Sequence, residues 1–269
     1  MNKILFADLD GTLLDDEKNI SEENRIAIQK MLEAGDYFVI CTGRPVASGR
    51  IVAKELGLTS PGCYMICFNG AVVYDCSSDR ILMQRSIPFH DVEKLFEKAK
   101  EEGIYIQTYN ETDIVTLEHT KELDYYKDRT NISYKVVQNL FEALSNEPQK
   151  VLLIDIEHTG ILEKFQNENA NWANEHMNSF FSCEEYLEYC PKNIDKGIGV
   201  SYLAEFLNIP MENTFAVGDE RNDIPMLQAA HTGVAMLNSR NEVKEKADVI
   251  TTKDNNHSAI AELIHTYIL

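Results

Sequence analysis

The sequence is short of basic residues, and this shortage argues against two large classes of partner. The 269-residue chain has 25 Lys and Arg against 44 Asp and Glu, which gives a formal net charge of −19. A surface of this sign repels nucleic acid and anionic membranes. We therefore expect no nucleic-acid partner and no membrane partner. A small anionic ligand is still compatible with the charge where a metal ion or a few cations reverse the local field.

Long apolar runs and paired cysteine motifs are also missing. No stretch approaches the ~18 consecutive apolar residues of a membrane-spanning helix. The first residues, Met1–Lys3, lead directly into a strand-like run and predict no secretion signal. The six cysteines include no Cys-x-x-Cys motif, and most lie in apolar, strand-like stretches. These features predict reduced thiols and a cytoplasmic location.

What the sequence does contain is an alternation of short apolar runs and amphipathic helices. Residues 4–7 and 37–41 are apolar runs typical of strands buried on both faces, and a helix ending at Gly35 separates them. This β-α-β order indicates a parallel pair with a right-handed crossover. A further run of this strand-like kind occurs near residues 213–217. The fold class predicted is α/β, with a doubly wound, Rossmann-like parallel sheet.

The middle of the chain has a different pattern of apolar and polar residues. Residues 90–102 form an amphipathic helical pattern, and residues 104–109 and 113–117 alternate like half-exposed strands joined by a short turn. This pattern predicts an inserted α+β domain with an antiparallel, one-sided sheet over residues 86–188. The α/β core would then comprise residues 1–85 and 189–269.

Two carboxylates stand where the first predicted strand ends. Asp8 and Asp10 lie on the same side of the chain, separated by the apolar Leu9. Like charges at short range repel unless a cation or a proton lies between them. The crevice beyond the carboxyl ends of parallel strands is also where ligands bind in open α/β sheets. The pair therefore indicates a site for chemistry, although an Asp-rich turn exposed to solvent would have the same sequence.

Three further loops add polar groups that parallel topology would bring to the same edge. They contain Thr42-Gly43-Arg44, Lys196, and Asp219 with Asn222 and Asp223. Carboxylates from separate loops suit Mg²⁺, which prefers oxygen ligands, and Asp8 and Asp219 are the predicted pair. Thr42 and the Gly43 amide can donate hydrogen bonds to phosphoryl oxygens, and Lys196 can neutralise one of them. This combination predicts a phosphoryl-transfer site.

The four segments, in this order, resemble the motifs of the haloacid dehalogenase (HAD) superfamily of aspartyl phosphatases. The matching stretches are Asp8-Leu9-Asp10-Gly11-Thr12, Cys41-Thr42-Gly43-Arg44-Pro45, Lys196, and Gly218-Asp219-Glu220-Arg221-Asn222-Asp223. The insertion falls between the second and third motifs, as in Cof-type, class IIB members with a C2 cap. The resemblance covers nearly the whole chain, and four motifs in order are far more specific than any one of them.

The resemblance implies roles for the acidic residues. Asp8 would be the nucleophile that forms an aspartyl phosphate. Asp10 would be the general acid for the leaving alcohol and then the base for water. Asp8, Asp219 and the backbone carbonyl of Asp10 would hold Mg²⁺.

It also implies a phosphate-binding set and two supporting residues. The phosphate-binding residues would be Leu9, Thr42, Gly43, Lys196 and Asn222. Asp223 would support the metal waters or orient Lys196, and Arg44 would assist. Plainer interpretations stay open at this stage: Asp223 as a helix cap, Lys196 as a solvated charge, and Arg44 as a surface ion-pair partner.

The function implied is a Mg²⁺-dependent phosphatase for a small phosphorylated metabolite, chiefly a sugar phosphate, acting as a monomer or a small homo-oligomer. A phosphotransferase or phosphomutase would use the same intermediate but protect it from water. A signalling receiver domain also combines strand-end acids with Thr and Lys, but Asp10 and the large insertion disfavour it. A non-catalytic protein that binds a phosphate ligand is a further alternative, disfavoured because every catalytic position is filled.

Overall fold

The computed structural model describes residues 2–269, which divide into two compact units. The first contains the chain up to Gly43, Gly49–Met83 and Asp195–Leu269; the second contains Arg44–Ser48 and Gln84–Ile194. The second unit reaches beyond residue 188, the end predicted from sequence. The reason is that the strand Tyr186–Pro191 pairs within that unit's sheet.

Fourteen strands and nine α-helices are assigned within residues 2–269. The strands are β1 Ile4–Asp8, β2 Tyr37–Cys41, β3 Cys63–Cys67, β4 Val72–Asp75, β5 Arg80–Gln84, β6 Tyr105–Tyr109, β7 Asp113–Thr116, β8 Ser133–Val136, β9 Val151–Ile154, β10 Met177–Cys183, β11 Tyr186–Pro191, β12 Thr214–Gly218, β13 Thr232–Ala235 and β14 Val249–Ile250. The helices are α1 Glu22–Glu33, α2 Val46–Glu55, α3 Phe89–Glu102, α4 Lys121–Thr130, α5 Ile161–His176, α6 Lys196–Phe206, α7 Ile224–Ala229, α8 Asn241–Lys244 and α9 Ala259–Leu263.

The first unit is built on one sheet with the strand order β14-β13-β12-β1-β2-β3-β4-β5. Every neighbouring pair from β14 to β3 is parallel, and β4 runs antiparallel to β3. The central strand β1 is buried along its whole length, as expected for a parallel strand covered on both faces. The predicted α/β class with a parallel-sheet core is confirmed.

The connection between β1 and β2 shows how local sequence sets the crossover. The Ser21 side chain accepts a hydrogen bond from the Asn24 backbone N–H and so caps α1. The helix packs Ile28 and Met31 into the core and is followed by Gly35 at φ +87°, a conformation that favours glycine. The chain then enters β2 beside β1.

The second unit contains a six-stranded sheet with the order β10-β11-β9-β6-β7-β8. Four of its pairs are antiparallel, but β7 and β8 are parallel. The prediction of a wholly antiparallel sheet is therefore wrong at this edge. The helix α4 connects the two strands, and a helical crossover is what lets successive strands run in the same direction. A single 3₁₀ turn, Leu140–Glu142, precedes β9.

Two observations concern the features that the sequence lacks. All six cysteines are free thiols. Within residues 2–269, none of the helices combines the length and the apolar character needed to cross a membrane.

Candidate active site

Three strand ends and one helix start of the first unit hold the predicted site residues. Asp8 is the last residue of β1, Thr42 follows β2, and Asp219 follows β12. Lys196 is the first residue of α6. Because β12, β1 and β2 are parallel neighbours, their carboxyl ends meet at one edge of the sheet.

Lys196 is the central cation of the site. Its side chain is fully buried, and its Nζ lies 2.5 Å from Asp8 Oδ1 and 2.5 Å from Asp223 Oδ1. Burial alone would lower the pKa of Lys196, but the charges of Asp223 and Asp8 raise it well above its ordinary value. The raised pKa favours the charged ammonium, and the complete burial of the side chain excludes the interpretation of Lys196 as a solvated surface residue.

The helix start holds Lys196 in place. The side chain of Asp195 accepts a hydrogen bond of 3.0 Å from the Ile198 backbone N–H and caps α6. Gly70 packs against this turn: a Cβ built on it would lie 1.9 Å from the Asp195 carbonyl oxygen. The chain can therefore approach α6 so closely only with glycine at this position.

Three carboxylates crowd around one point. Oxygens of Asp8, Asp219 and Asp223 all lie within 4.8 Å of one another. Burial and then the charge of Asp223 raise the pKa of Asp8 well above its ordinary value. The same two causes raise the pKa of Asp219 to about 7. The single charge of Lys196 thus leaves a negative excess that favours a further cation.

The chain after β1 folds back on itself and brings Thr12 to this cluster. The carbonyls of Asp8 and Leu9 accept hydrogen bonds from the N–H groups of Leu13 and Leu14. The Thr12 hydroxyl, which is buried, donates a 2.7 Å hydrogen bond to Asp219 Oδ1. Thr12 therefore orients Asp219, a role that its position in a turn did not reveal from sequence.

Asp223 is fixed by its second oxygen. Oδ2 accepts hydrogen bonds of 2.9 Å from the backbone N–H groups of Asp219 and Glu220, while Oδ1 accepts from Lys196. Asp223 can approach residue 218 this closely only because that residue is glycine: a Cβ on Gly218 would lie 2.5 Å from the Cβ of Asp223. Asp223 therefore orients Lys196 and is more than a helix cap.

Asp10 is placed differently from the other acids. Its carboxylate pairs with the Lys18 ammonium at 3.0 Å, and its side chain is 38 % exposed. The Asp10 carboxylate is therefore more accessible than those of Asp8 and Asp223, whose side chains are 11 % and 0 % exposed. An exposed carboxyl at this position can exchange protons with a ligand or with water.

The loops after β2 and β3 contribute amide and hydroxyl groups. Thr42 is buried, and its carbonyl accepts a 3.1 Å hydrogen bond from the Asn69 N–H. Asn69 Oδ1 accepts a 3.1 Å hydrogen bond from Asn222 Nδ2. A Cβ built on Gly43 would lie 3.1 Å from Asn69 Oδ1. Asn69 therefore binds Asn222 and lies close to Gly43, two of the predicted phosphate-binding residues.

Asn69 belongs to an Asn-Gly dipeptide, which is also common in ordinary turns. The residue is buried and adopts a left-handed conformation, φ 53° and ψ 39°, which asparagine tolerates better than most residues. Its signal in the sequence was an Asn-Gly dipeptide directly after a buried strand. Arg44, by contrast, belongs to the second compact unit, so its assistance at the site stays a prediction.

Gly11 gives a direct test of how tightly the cluster is packed. It has φ +83°, and a Cβ there would lie 2.6 Å from Asp219 Oδ2. We expect Gly11→Ala to displace Asp219 and to lower kcat/KM by about 100-fold, the scale of an ångström-sized misplacement. Steady-state kinetics measures this. Gly57→Ala is the matched control because Gly57 has φ +72° with no atom within 4 Å of the added Cβ. A similar loss of activity in both variants would contradict the packing argument.

The donor set fits a hard divalent cation. The carboxylates of Asp8 and Asp219 provide oxygen ligands at the ends of adjacent strands. Burial and then repulsion from Asp223 raise their pKa values, and a bound cation would offset both effects. Lys196 already pairs with Asp8 and Asp223, which leaves Asp219 as the carboxylate without a cation in this cluster. Mg²⁺ therefore suits the residues present.

Comparisons with known proteins agree with this geometry. Residues 5–264 match the family model described as haloacid dehalogenase-like hydrolase. The 5-amino-6-(5-phospho-D-ribitylamino)uracil phosphatase YcsE of Bacillus subtilis is 31 % identical over 268 residues, covering 99 % of this chain and 96 % of its own.

Solved structures are similar over the full length. A haloacid dehalogenase-like hydrolase from Bacteroides thetaiotaomicron has a TM-score of 0.91 and 28 % identity. The match covers 98 % of this chain and 99 % of the Bacteroides chain. A protein from Thermotoga maritima has a TM-score of 0.87 and 30 % identity, covering 100 % and 98 % respectively.

Proposed function

The chain belongs to the haloacid dehalogenase-like hydrolases and is a phosphoric monoester hydrolase of that family; we propose that it uses Mg²⁺ and an aspartyl-phosphate intermediate to hydrolyse sugar phosphates. The observation that carries the proposal is the buried Lys196 ammonium between Asp8 and Asp223, with Asp219 in the same cluster. A carboxylate that accepts the phosphoryl group needs a cation beside it, because the cation offsets the negative charge of the incoming phosphate.

In the first step, an Asp8 carboxylate oxygen attacks phosphorus. The new bond joins that oxygen to phosphorus, and the bond from phosphorus to the substrate oxygen breaks. Asp10 donates a proton to the leaving oxygen, so the alcohol departs neutral. The partly exposed side chain of Asp10 suits this exchange better than the buried acids do.

In the second step, water attacks the aspartyl phosphate. Asp10, now ionised, takes a proton from the water as its oxygen bonds to phosphorus. The bond between phosphorus and the Asp8 oxygen breaks, which regenerates the carboxylate and releases inorganic phosphate. The same residue thus acts as acid and then as base.

The remaining residues bind the phosphoryl oxygens. Lys196 offsets their charge and lowers their repulsion with Asp8. Thr42 donates through its hydroxyl, and Gly43 and Leu9 donate through their backbone amides. Asn222, held by Asn69, donates through its side-chain amide.

Asp8, Asp219 and the backbone carbonyl of Asp10 would hold Mg²⁺. The bound ion would supply Lewis-acid stabilisation of the charge on the transferring phosphoryl group. Thr12 prepares this ligand set by fixing Asp219 Oδ1.

The substrate class rests on two supports. The Bacillus subtilis relative is named for a substrate that carries a 5-phospho-D-ribityl chain, which is a phosphorylated polyol. The second unit, Gln84–Ile194 with Arg44–Ser48, is large enough to act as the cap domain that supplies side chains for choosing the leaving alcohol. A cytoplasmic location and a monomeric or small homo-oligomeric state are further predictions.

The test is phosphate release from a panel of sugar phosphates, nucleotides, flavin mononucleotide and pyridoxal phosphate. Hydrolysis of sugar phosphates with the highest kcat/KM supports the proposal. An added acceptor alcohol distinguishes hydrolysis from transfer, because a transferase would form more phosphorylated acceptor than free phosphate. That outcome, or no release from any substrate, would contradict the assignment.

Metal removal should abolish turnover, and the metal requirement should depend on pH. Burial and Asp223 raise the pKa of Asp219 to about 7 in the metal-free chain. Below this pKa the carboxyl is protonated and the proton competes with the ion. We therefore expect the Mg²⁺ concentration for half-maximal activity to fall as pH rises from about 6 to 8, by up to about tenfold per unit below the pKa. Activity measured over Mg²⁺ titrations after chelation checks this, and a requirement that grows with pH would contradict it.

A further inference from the structure

The second unit contains a cluster of two histidines and an aspartate. His90 and Asp91 lie in the first turn of α3, and His176 is the last residue of α5. His90 Nε2 lies 3.3 Å from Asp91 Oδ1, and His176 Nδ1 lies 3.4 Å from Asp91 Oδ2. One donor atom from each of the three residues falls within 4.8 Å of the other two.

Asp91 is the unusual member of this cluster. Its side chain is 1 % exposed, yet within residues 2–269 neither carboxylate oxygen has a hydrogen-bond partner. Buried carboxylates are normally hydrogen-bonded or paired, because an unsatisfied one carries a large desolvation cost. A nitrogen of each imidazole lies within 3.4 Å of this carboxylate, so a ligand shared by the three residues would satisfy it.

The spacing of the donor atoms suits a shared metal ion. The 3.3 Å and 3.4 Å separations are long for charge-assisted hydrogen bonds, which are about 2.7–2.9 Å. Ligands about 2.1 Å from a tetrahedral zinc ion lie about 3.4 Å from one another. The observed separations therefore match two ligands of one ion better than a donor and its acceptor.

We propose that His90, Asp91 and His176 form a binding site for a borderline transition-metal ion such as Zn²⁺. Imidazole nitrogen is a preferred ligand of Zn²⁺, Cu²⁺ and Ni²⁺ and a poor one for Mg²⁺, so this site differs in chemistry from the carboxylate cluster. Three protein ligands leave a fourth tetrahedral position for water. The ion would join the start of α3 to the end of α5.

Tryptophan fluorescence can report metal binding at this site. Trp172 is the only tryptophan, and its ring centroid lies 6.2 Å from that of His176. The two residues are four apart on α5 and so share a face of the helix. A paramagnetic ion held by His176 would quench Trp172 fluorescence, whereas Zn²⁺ has a filled d shell and would not.

The experiment titrates chelator-treated protein with Cu²⁺ while recording tryptophan fluorescence. Millimolar Mg²⁺ is present throughout to occupy the carboxylate cluster. We expect saturable quenching that excess Zn²⁺ reverses. His90→Ala should weaken Cu²⁺ binding by at least about 10-fold, because even groups behind a ligand change metal affinity by 10- to 100-fold. His90 has a 71 % exposed side chain, so its removal leaves the fold intact, and it does not contact the Trp172 ring in the way that His176 does.

His119→Ala is the matched control. His119 Nε2 lies 3.1 Å from Asp124 Oδ1, an exposed pair that has one imidazole and one carboxylate but no second histidine. This variant should bind Cu²⁺ like the unaltered protein, and Asp91→Asn should bind it as weakly as His90→Ala. Absent quenching, quenching that Zn²⁺ does not reverse, or equal affinity in His90→Ala would overturn the proposal and leave the cluster as two imidazoles beside Asp91.

Discussion

Replacing Asp8 by Asn is expected to reduce kcat by about 10⁴-fold or more, the scale seen when a covalent nucleophile is removed. An amide cannot form the bond to phosphorus at a useful rate, so turnover stops before the first intermediate. Single-turnover measurements with a sugar phosphate should detect no phosphorylated protein in the variant. The unaltered chain, quenched in acid, should carry phosphate on Asp8.

The fold should survive this substitution. Burial, Asp223 and Asp219 all raise the pKa of Asp8, so its negative charge is unfavourable on those grounds and only Lys196 stabilises it. Asn has the same size and can still accept a hydrogen bond from Lys196. Circular dichroism and thermal unfolding should therefore resemble those of the unaltered chain.

Asp16→Asn is the matched control for this experiment. Asp16 lies in the same segment and accepts hydrogen bonds from the side-chain amides of Asn255 and Asn256 rather than from Lys196. Its replacement should leave activity within about a factor of two, as for most surface substitutions. Near-normal turnover by Asp8→Asn would exclude the aspartyl-phosphate mechanism.

The location of the site could be predicted from sequence because it depends on strand order. Short apolar runs identified β1, β2 and β12, and parallel pairing then required Asp8, Thr42 and Asp219 to share an edge. The β7 and β8 strands have the same β-α-β order, with α4 as the connection, yet the alternating pattern of this part of the chain predicted an antiparallel sheet. Alternation indicates a sheet with one exposed face and does not determine the direction of its strands.

The contacts within the site were less predictable than its location. Thr12 and Asp219 are joined by a hydrogen bond between residues far apart in sequence. Asn69 has a left-handed backbone that fits an ordinary turn equally well, and only its burial and its bond to Asn222 reveal its role. Such contacts depend on side-chain directions after the sheet has assembled, and a single sequence contains no spacing rule for them.

Lys196→Met should produce the largest combined loss of activity and stability. The substitution leaves Asp8 and Asp223 buried beside each other without the cation that they share. Removing one partner of a buried ion pair costs about 3–5 kcal/mol of unfolding free energy. We expect a loss of this size in urea unfolding at neutral pH. Lys18→Met is the matched control, because the pair of Lys18 with Asp10 is exposed and should contribute about 0–1 kcal/mol.

The pH dependence of the Lys196→Met deficit follows from the sign of the Asp8 shift. The folded pKa of Asp8 is already raised above its ordinary value of 3.8, and Lys196 is the group that lowers it. Without Lys196 the pKa rises further, so the folded chain binds this proton more tightly than the unfolded chain. Stability is then greatest below the unfolded pKa and falls as pH rises through the folded pKa. Urea unfolding of Lys196→Met should show a smaller deficit at about pH 5 than at about pH 8.

A second substitution separates electrostatics from lost packing. Adding Asp223→Asn to Lys196→Met removes one of the two like charges, so stability at neutral pH should partly return. Activity should not return, because the phosphoryl group still lacks its cation and Asp8 loses its fixed partner. A deficit that is independent of pH and unaffected by Asp223→Asn would show that Lys196 stabilises the core through its apolar stem alone.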